Sequence, residues 1–170
     1  MPLTQADLRR LVDATGRAAE DFVDWLPSAA VDLTGEPGSL VVLERDEQRV
    51  LMALAHHGGA CHALGADDRC TVYEARPASC RLYPFSASFG RRGGVRRLRL
   101  LSGTECQAQH DGANDAHALR EADARRWAEH TSYLALIRVW NRLQRRRSRL
   151  GHRLQGAAEF LRFLGFVAGD

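Results

Sequence analysis

The sequence predicts an α+β fold: an N-terminal helical pair, two small β-hairpins around a cysteine-rich loop, and a C-terminal helical pair. Three observations carry that expectation. Apolar residues recur at helical spacing near both ends of the chain, β-branched and apolar runs alternate with turn residues in the middle, and the cysteines fall where both periods fade.

Each element has its own signal. Thr4-Gln5-Ala6-Asp7 reads as a capping box, Leu8, Leu11 and Val12 follow on one helical face, and Gly16 stops the helix. Phe22, Trp25 and Leu26 share a face of an expected second short helix that ends at Pro27. Residues 27–38, with two prolines and two glycines, read as loop. Ser39 to Arg45 and Arg49 to Ala55 form the first expected hairpin. A loop-rich stretch runs from His56 to Pro84. Phe85 to Phe89 and Val95 to Leu101 form the second hairpin, in which Arg97 and Arg99 alternate with Leu98 and Leu100. A long helix then runs from about Asp115 towards Leu150 with Trp127, Leu134, Ile137, Trp140 and Leu143 inward. A last helix from about His152 to Val167 buries Leu154, Ala158, Leu161 and Leu164. The expected organisation is a single domain, with residues 1–112 as the cysteine-bearing part and residues 113–170 as a helical segment packed on it.

Composition excludes some chemistry. The 24 basic residues are all arginine, so a Schiff-base lysine and a Walker-A lysine are both impossible. The N-terminus lacks the charged start and apolar run of a signal peptide, and no stretch approaches the roughly 18 apolar residues of a membrane span. The expectation is therefore a cytoplasmic protein without a membrane partner, in a compartment where thiols stay reduced. An even cysteine count then argues for metal or catalysis before crosslinking.

All four cysteines lie within residues 61–106, as Cys61-x8-Cys70-x9-Cys80-x25-Cys106. Four thiolates suit a tetrahedral zinc or a cubane iron-sulfur cluster, because both take soft ligands converging from several directions. The gaps are wider than the Cys-x2-Cys knuckle of structural zinc and favour a 4Fe-4S cluster, with zinc as the alternative. Such a centre carries net negative charge, which Arg69, Arg76 and Arg81 are placed in sequence to offset. Tyr73, Tyr83 and Phe85 are expected to wall it from water. The competing readings are buried cysteines acting as small hydrophobes and, less in keeping with the compartment, two disulfides.

The stretch Cys70-Thr-Val-Tyr-Glu-Ala-Arg-Pro-Ala-Ser-Cys80-Arg-Leu-Tyr-Pro-Phe85 resembles the signature of the YkgJ-like cysteine-cluster family, whose CxxCxxCC-type domain is described as zinc- or iron-chelating. Leu3-Thr4-x-x-Asp7-Leu8, Ala19-Glu20-Asp21-Phe22, Cys61 after Gly58-Gly59, and Val139-Trp140-Asn141 resemble further parts of that family, so the likeness covers about residues 3–145. It implies a metal centre on Cys61, Cys70, Cys80 and Cys106, with Arg76, Arg81 and Tyr73 around it. The sequence departs from the family in one place. The family's N-terminal cysteine cluster belongs just before Leu3 and has no counterpart here, which leaves open a start placed too late or a true loss of those ligands. Some relatives are flagellin lysine-N-methylases that use S-adenosylmethionine. That resemblance implies a methylase-like enzyme as an alternative function, although no methyl-donor motif stands in the chain.

Other candidates weigh less. His56, His57 and His62 flank Cys61 and read as substitute ligands or as polar loop residues. Cys80 beside Arg81 has the charge neighbour of an activated nucleophile but no accompanying base. Residues 91–170 carry a net charge of +8 against −5 for residues 1–90, and residues 130–158 hold seven arginines and no acid. A basic nucleic-acid adaptor is thus a third function class, disfavoured because no recognisable nucleic-acid module surrounds the arginines. An unidentified protein partner is the remaining expectation.

Overall fold

In the computed structural model, the described residues are 1–31, 37–44, 49–89, 95–100 and 116–166. Their elements are mixed helix and strand in small antiparallel sheets, as an α+β chain requires. Helix α1 (Gln5–Thr15) starts at Thr4, whose side chain accepts from the Asp7 N–H while the Asp7 carboxylate accepts from the Thr4 N–H. It stops at Gly16, which takes a left-handed φ of 67° and returns its N–H to the Val12 carbonyl.

The expected second helix is not there. Ala19–Phe22 is a single 3-10 turn and Val23–Pro27 is a strand, β1. The helical spacing of Phe22, Trp25 and Leu26 misled because an extended partner was available. Strand β3 (Arg49–Leu54) pairs antiparallel with β1 and satisfies the backbone that a helix would have satisfied internally. The first hairpin forms as expected, with β2 (Val41–Val42) opposite the start of β3; its turn, residues 45–48, lies outside the described residues. The sheet order is β1-β3-β2, so β3 is central. Beyond β2 the same edge of β3 is covered by the chain start: Leu3 donates to Met52, Leu54 donates to Met1, and Pro2 bridges Ala53. The central position explains why Val50 to Leu54 is an unbroken apolar run and is buried throughout.

Two further hairpins follow. One joins β4 (His56–His57) to β5 (Ala60–Cys61), and the other joins β6 (Phe85–Phe89) to β7 (Val95–Leu100), with Arg97 and Arg99 exposed as expected. Between them stands a short helix, α2 (Ala78–Leu82), where the sequence reads as loop.

Helix α3 (Ala116–Arg149) is a single element of 34 residues. Tyr133, Ile137, Trp140 and Gln144 face inward at intervals of three and four. Leu134 is half-buried, whereas Trp127 and Leu143, expected inside, are exposed at 38% and 42%: the inward stripe runs one position away from them. The last helix is shorter than expected. Helix α4 spans Ala157–Phe163, the segment from His152 to Gly156 before it is not helical, and its first turn is closed by the Glu159 carboxylate accepting from the Gly156 N–H at 2.9 Å. Leu161 and Leu164 are buried, Leu154 is half-buried and Ala158 is exposed.

One hydrophobic cluster joins these parts, drawing on Leu3, Leu8 and Leu11 of the N-terminal segment, Val50, Met52 and Leu54 of β3, Ile137 and Trp140 of α3, and Phe160 of α4. Trp140 is its largest fully buried side chain and meets Phe160 edge-on at 5.1 Å. Its indole N–H donates to the Val42 carbonyl at 2.8 Å. The next residue, Asn141, accepts from the Val42 N–H and donates to the Leu40 carbonyl, both at 2.8 Å. Consecutive residues of α3 thus fasten β2. Trp140→Ala is expected to cost about 3–5 kcal/mol of stability, read from the urea midpoint. Trp140→Phe, which keeps the ring but leaves the Val42 carbonyl without its donor, should cost roughly 1–3 kcal/mol.

Candidate metal centre

The first thiol is set by a glycine pair. Gly58 and Gly59 have φ of 60° and 86°, which only a two-residue hairpin turn of the left-handed kind requires, and the turn folds Cys61 back opposite His56. His56 is anchored by its own N–H to the Asp24 carboxylate at 2.8 Å and by its Nδ1 to the Leu54 carbonyl.

The second thiol is brought back by a tight loop. Leu64 bridges Cys70, the Gly65 N–H donates to Arg69 at 2.8 Å, and both the N–H and hydroxyl of Thr71 donate to the Ala63 carbonyl. The eight residues between Cys61 and Cys70 are therefore spent on a closed loop that returns Cys70 beside the strand leaving Cys61.

The third thiol sits on α2. Pro77 precedes that helix with the backbone preset, and the next N–H, that of Ala78, donates to the Asp7 carboxylate at 2.7 Å. Asp7 is almost completely buried, and the same carboxylate accepts from Arg10 at 2.6 Å. Arg10 in turn makes a two-pronged pair with Glu129 of α3 at 2.7 and 2.9 Å. A single carboxylate thus closes the start of α1 and pins the start of the helix that carries Cys80. Sequence reasoning assigned Asp7 only the first of these roles. The available signal was the residue type: a capping box usually takes Glu or Gln at that position, and the shorter Asp leaves an oxygen for a partner outside its own helix.

The arginines of the signature brace this turn. Arg76 donates from Nε to the Tyr73 carbonyl at 2.9 Å and lies 3.5 Å from the centre of the Tyr73 ring. Arg81 donates from Nε to the Arg76 carbonyl at 3.0 Å and from its terminal nitrogen to the Glu74 carbonyl. Arg76 thus closes the 3-10 turn Tyr73–Ala75 on itself, and Arg81 ties that turn to α2. Tyr73 and Tyr83 do not form a wall: they are 56% and 51% exposed, while Phe85 is half-buried. A cavity of about 210 Å³ lies beside α2, lined by Arg10, Ala78, Arg81, Arg125 and Glu129 among others.

Cys61, Cys70 and Cys80 are all half-buried and all free thiols, so none is paired in a disulfide. They are electrostatic neighbours. Burial pushes the Cys80 thiol up, and the negative charges of Cys61, Asp7 and Cys70 push it further, with the N-terminal amine of Met1 pulling the other way. That direction is opposite to the one an activated nucleophile needs, and Arg81, whose guanidinium is turned onto the Arg76 and Glu74 carbonyls, is not among the groups that act on the Cys80 thiol. Among the described residues, no three of His, Cys, Asp and Glu are gathered closely enough to hold a metal ion between them as they stand. Cys106 lies outside the described residues. The donor set fits zinc or iron-sulfur chemistry in type, since the three free thiols among the described residues are soft sulfur ligands.

The histidines stand apart in role. His62 meets His57 at 4.8 Å and Phe22 at 5.9 Å between ring centres, and its Nε2 is buried with no hydrogen-bond partner among the described residues. Burial lowers its pKa, aided by Arg17 and His57.

A small α+β chain whose turns are built to present several cysteines is a cysteine-cluster protein. Residues 4–124 match the CxxCxxCC family, described as "Putative zinc- or iron-chelating domain", and the chain belongs to that family. No curated protein and no solved structure matches the chain. Among the described residues, no helix is long and apolar enough to cross a membrane.

Proposed function

We propose that Cys61, Cys70, Cys80 and Cys106 hold one metal centre, a 4Fe-4S cluster in preference to zinc, in a cytoplasmic metal-binding protein. The observation that supports it best is the delivery of three half-buried thiols by three separate devices, the Gly58-Gly59 turn, the loop closed at Leu64 and Cys70, and the Asp7-pinned helix α2. A zinc ion or the irons of a cluster bound among the four thiolates would offset the negative charge that burdens Cys80. The wide gaps between the cysteines favour the cluster over the zinc knuckle. In this reading residues 1–112 form the metal-binding part and the helices of residues 113–170 buttress it, Glu129 through Arg10 and Trp140 through β2. Arg76, Arg81 and Tyr73 keep the Cys80 turn in shape by the carbonyl contacts described above.

Anaerobic purification followed by an absorption spectrum and metal analysis tests this. A brown protein with iron and acid-labile sulfide is the expected result. A colourless protein with about one zinc per chain would replace the cluster with a structural ion, and a protein with neither metal would overturn the centre itself.

A further inference from the structure

We propose that a pocket between β3 and the C-terminal end of α3, built from elements that carry none of the cysteines, binds a small phosphate-bearing anion. The cavity measures about 270 Å³ and draws in the side chains of Arg49, Arg145 and Arg149. Val42, Leu154, Ser148 and Gln144 complete its lining, and no carboxylate is among them. Gln144 is fully buried, and its amide is held on both atoms by Gln155, accepting from the Gln155 N–H at 2.9 Å and donating to the Gln155 side chain at 3.2 Å. That wall is therefore fixed.

Three like charges line this one concavity. Arg145 and Arg149 stand one helical turn apart, where like charges repel, and Arg49 adds a third guanidinium from a neighbouring strand. None of the three guanidinium groups hydrogen-bonds or ion-pairs with another described residue. Glu44, which follows β2, is taken by Arg153, and Glu159 by Gly156 and Arg162. A helix C-terminus favours cations, and that suffices for Arg149. It does not account for an arginine on a strand aimed into the same cavity. Nor does the whole basic run take part: Arg147 is turned away to the Arg153 carbonyl at 3.0 Å.

Guanidinium forks converging on one concavity match the oxygens of a phosphoryl group. A nucleic acid would instead need the charges strung along a groove with stacking surfaces. The cavity has room for more than one phosphoryl group or for a phosphorylated small molecule.

Calorimetric titration of the full chain at low ionic strength with inorganic pyrophosphate, orthophosphate and ribose 5-phosphate tests the site. One saturable site is expected, weakened about tenfold or more by R49Q and by R145Q. R138Q, on an exposed position of the same helix outside the pocket, should leave it unchanged. Tighter binding of ribose 5-phosphate than of orthophosphate would point to a phosphorylated metabolite, and the reverse to free phosphate. The proposal is overturned if no probe saturates, if R138Q weakens binding as much as R145Q, or if a mixed-sequence oligonucleotide titrated in parallel binds and none of the three small probes does.

Discussion

Replacing Cys80 by serine is expected to strip the metal from anaerobically prepared protein and to lower its melting temperature sharply, and Cys70→Ser should do the same. Cys80 is the thiol on which the influence of Cys61 and Cys70 converges, and it stands on a helix whose start is tied by Asp7. A structural zinc contributes roughly 10–16 kcal/mol in small domains. Losing even a quarter of that would lower the melting temperature by about 10 °C, at roughly 2–4 °C per kcal/mol for a chain of this size. If both serine variants keep their metal and their melting temperature, the four-cysteine centre is wrong. Cys106→Ser separates two versions of the idea. Retention of metal there, with loss in the other two, would mean that the fourth ligand comes from elsewhere.

The second large effect is expected at a residue that is not a ligand. Asp7→Ala removes the acceptor of the Thr4 N–H, of Arg10 and of the Ala78 N–H together. Loss of a cap costs about 1 kcal/mol, and leaving the Ala78 N–H without a partner costs roughly 1–3 kcal/mol more. The total of about 2–4 kcal/mol should lower the melting temperature by roughly 4–16 °C. Metal retention should fall too, because α2 loses the tether that sets Cys80. Asp7→Asn keeps an oxygen for Ala78 and should recover most of the metal while recovering less of the stability. An alanine variant with unchanged melting temperature and full metal content would show that the Asp7 link to α2 is dispensable.

Local signals served well where the backbone satisfies itself. The Thr4 cap, the Gly16 stop and the length of α3 depend on residues within a turn or two of each other, and each stands where the sequence places it. Hairpin pairing was equally legible at β2–β3 and β6–β7, since alternation and turn residues act over short separations. Val23–Pro27 was not legible. Its apolar spacing is compatible with a helix or a strand, and the choice fell to β3, about 25 residues later, whose free edge made the extended form the better hydrogen-bonded one. The inward stripe of α3 was displaced by one position for a similar reason: Gln144 is buried because Gln155 satisfies it, and Leu143 is left outside.

For the site, the sequence by itself determined the class of protein: four cysteines in one stretch of a lysine-free chain, a signature around Cys70 and Cys80, and the family to which residues 4–124 belong. Residue types carry that information directly, because sulfur selects its metals whatever the fold. Only the tertiary structure decided which groups support the thiols. It turned Arg76 and Arg81 onto carbonyls, set Tyr73 facing outward, and recruited Asp7 from the far end of the chain to hold α2. Those choices depend on which buried donors and acceptors lack partners once the chain has collapsed, and such vacancies exist only in three dimensions.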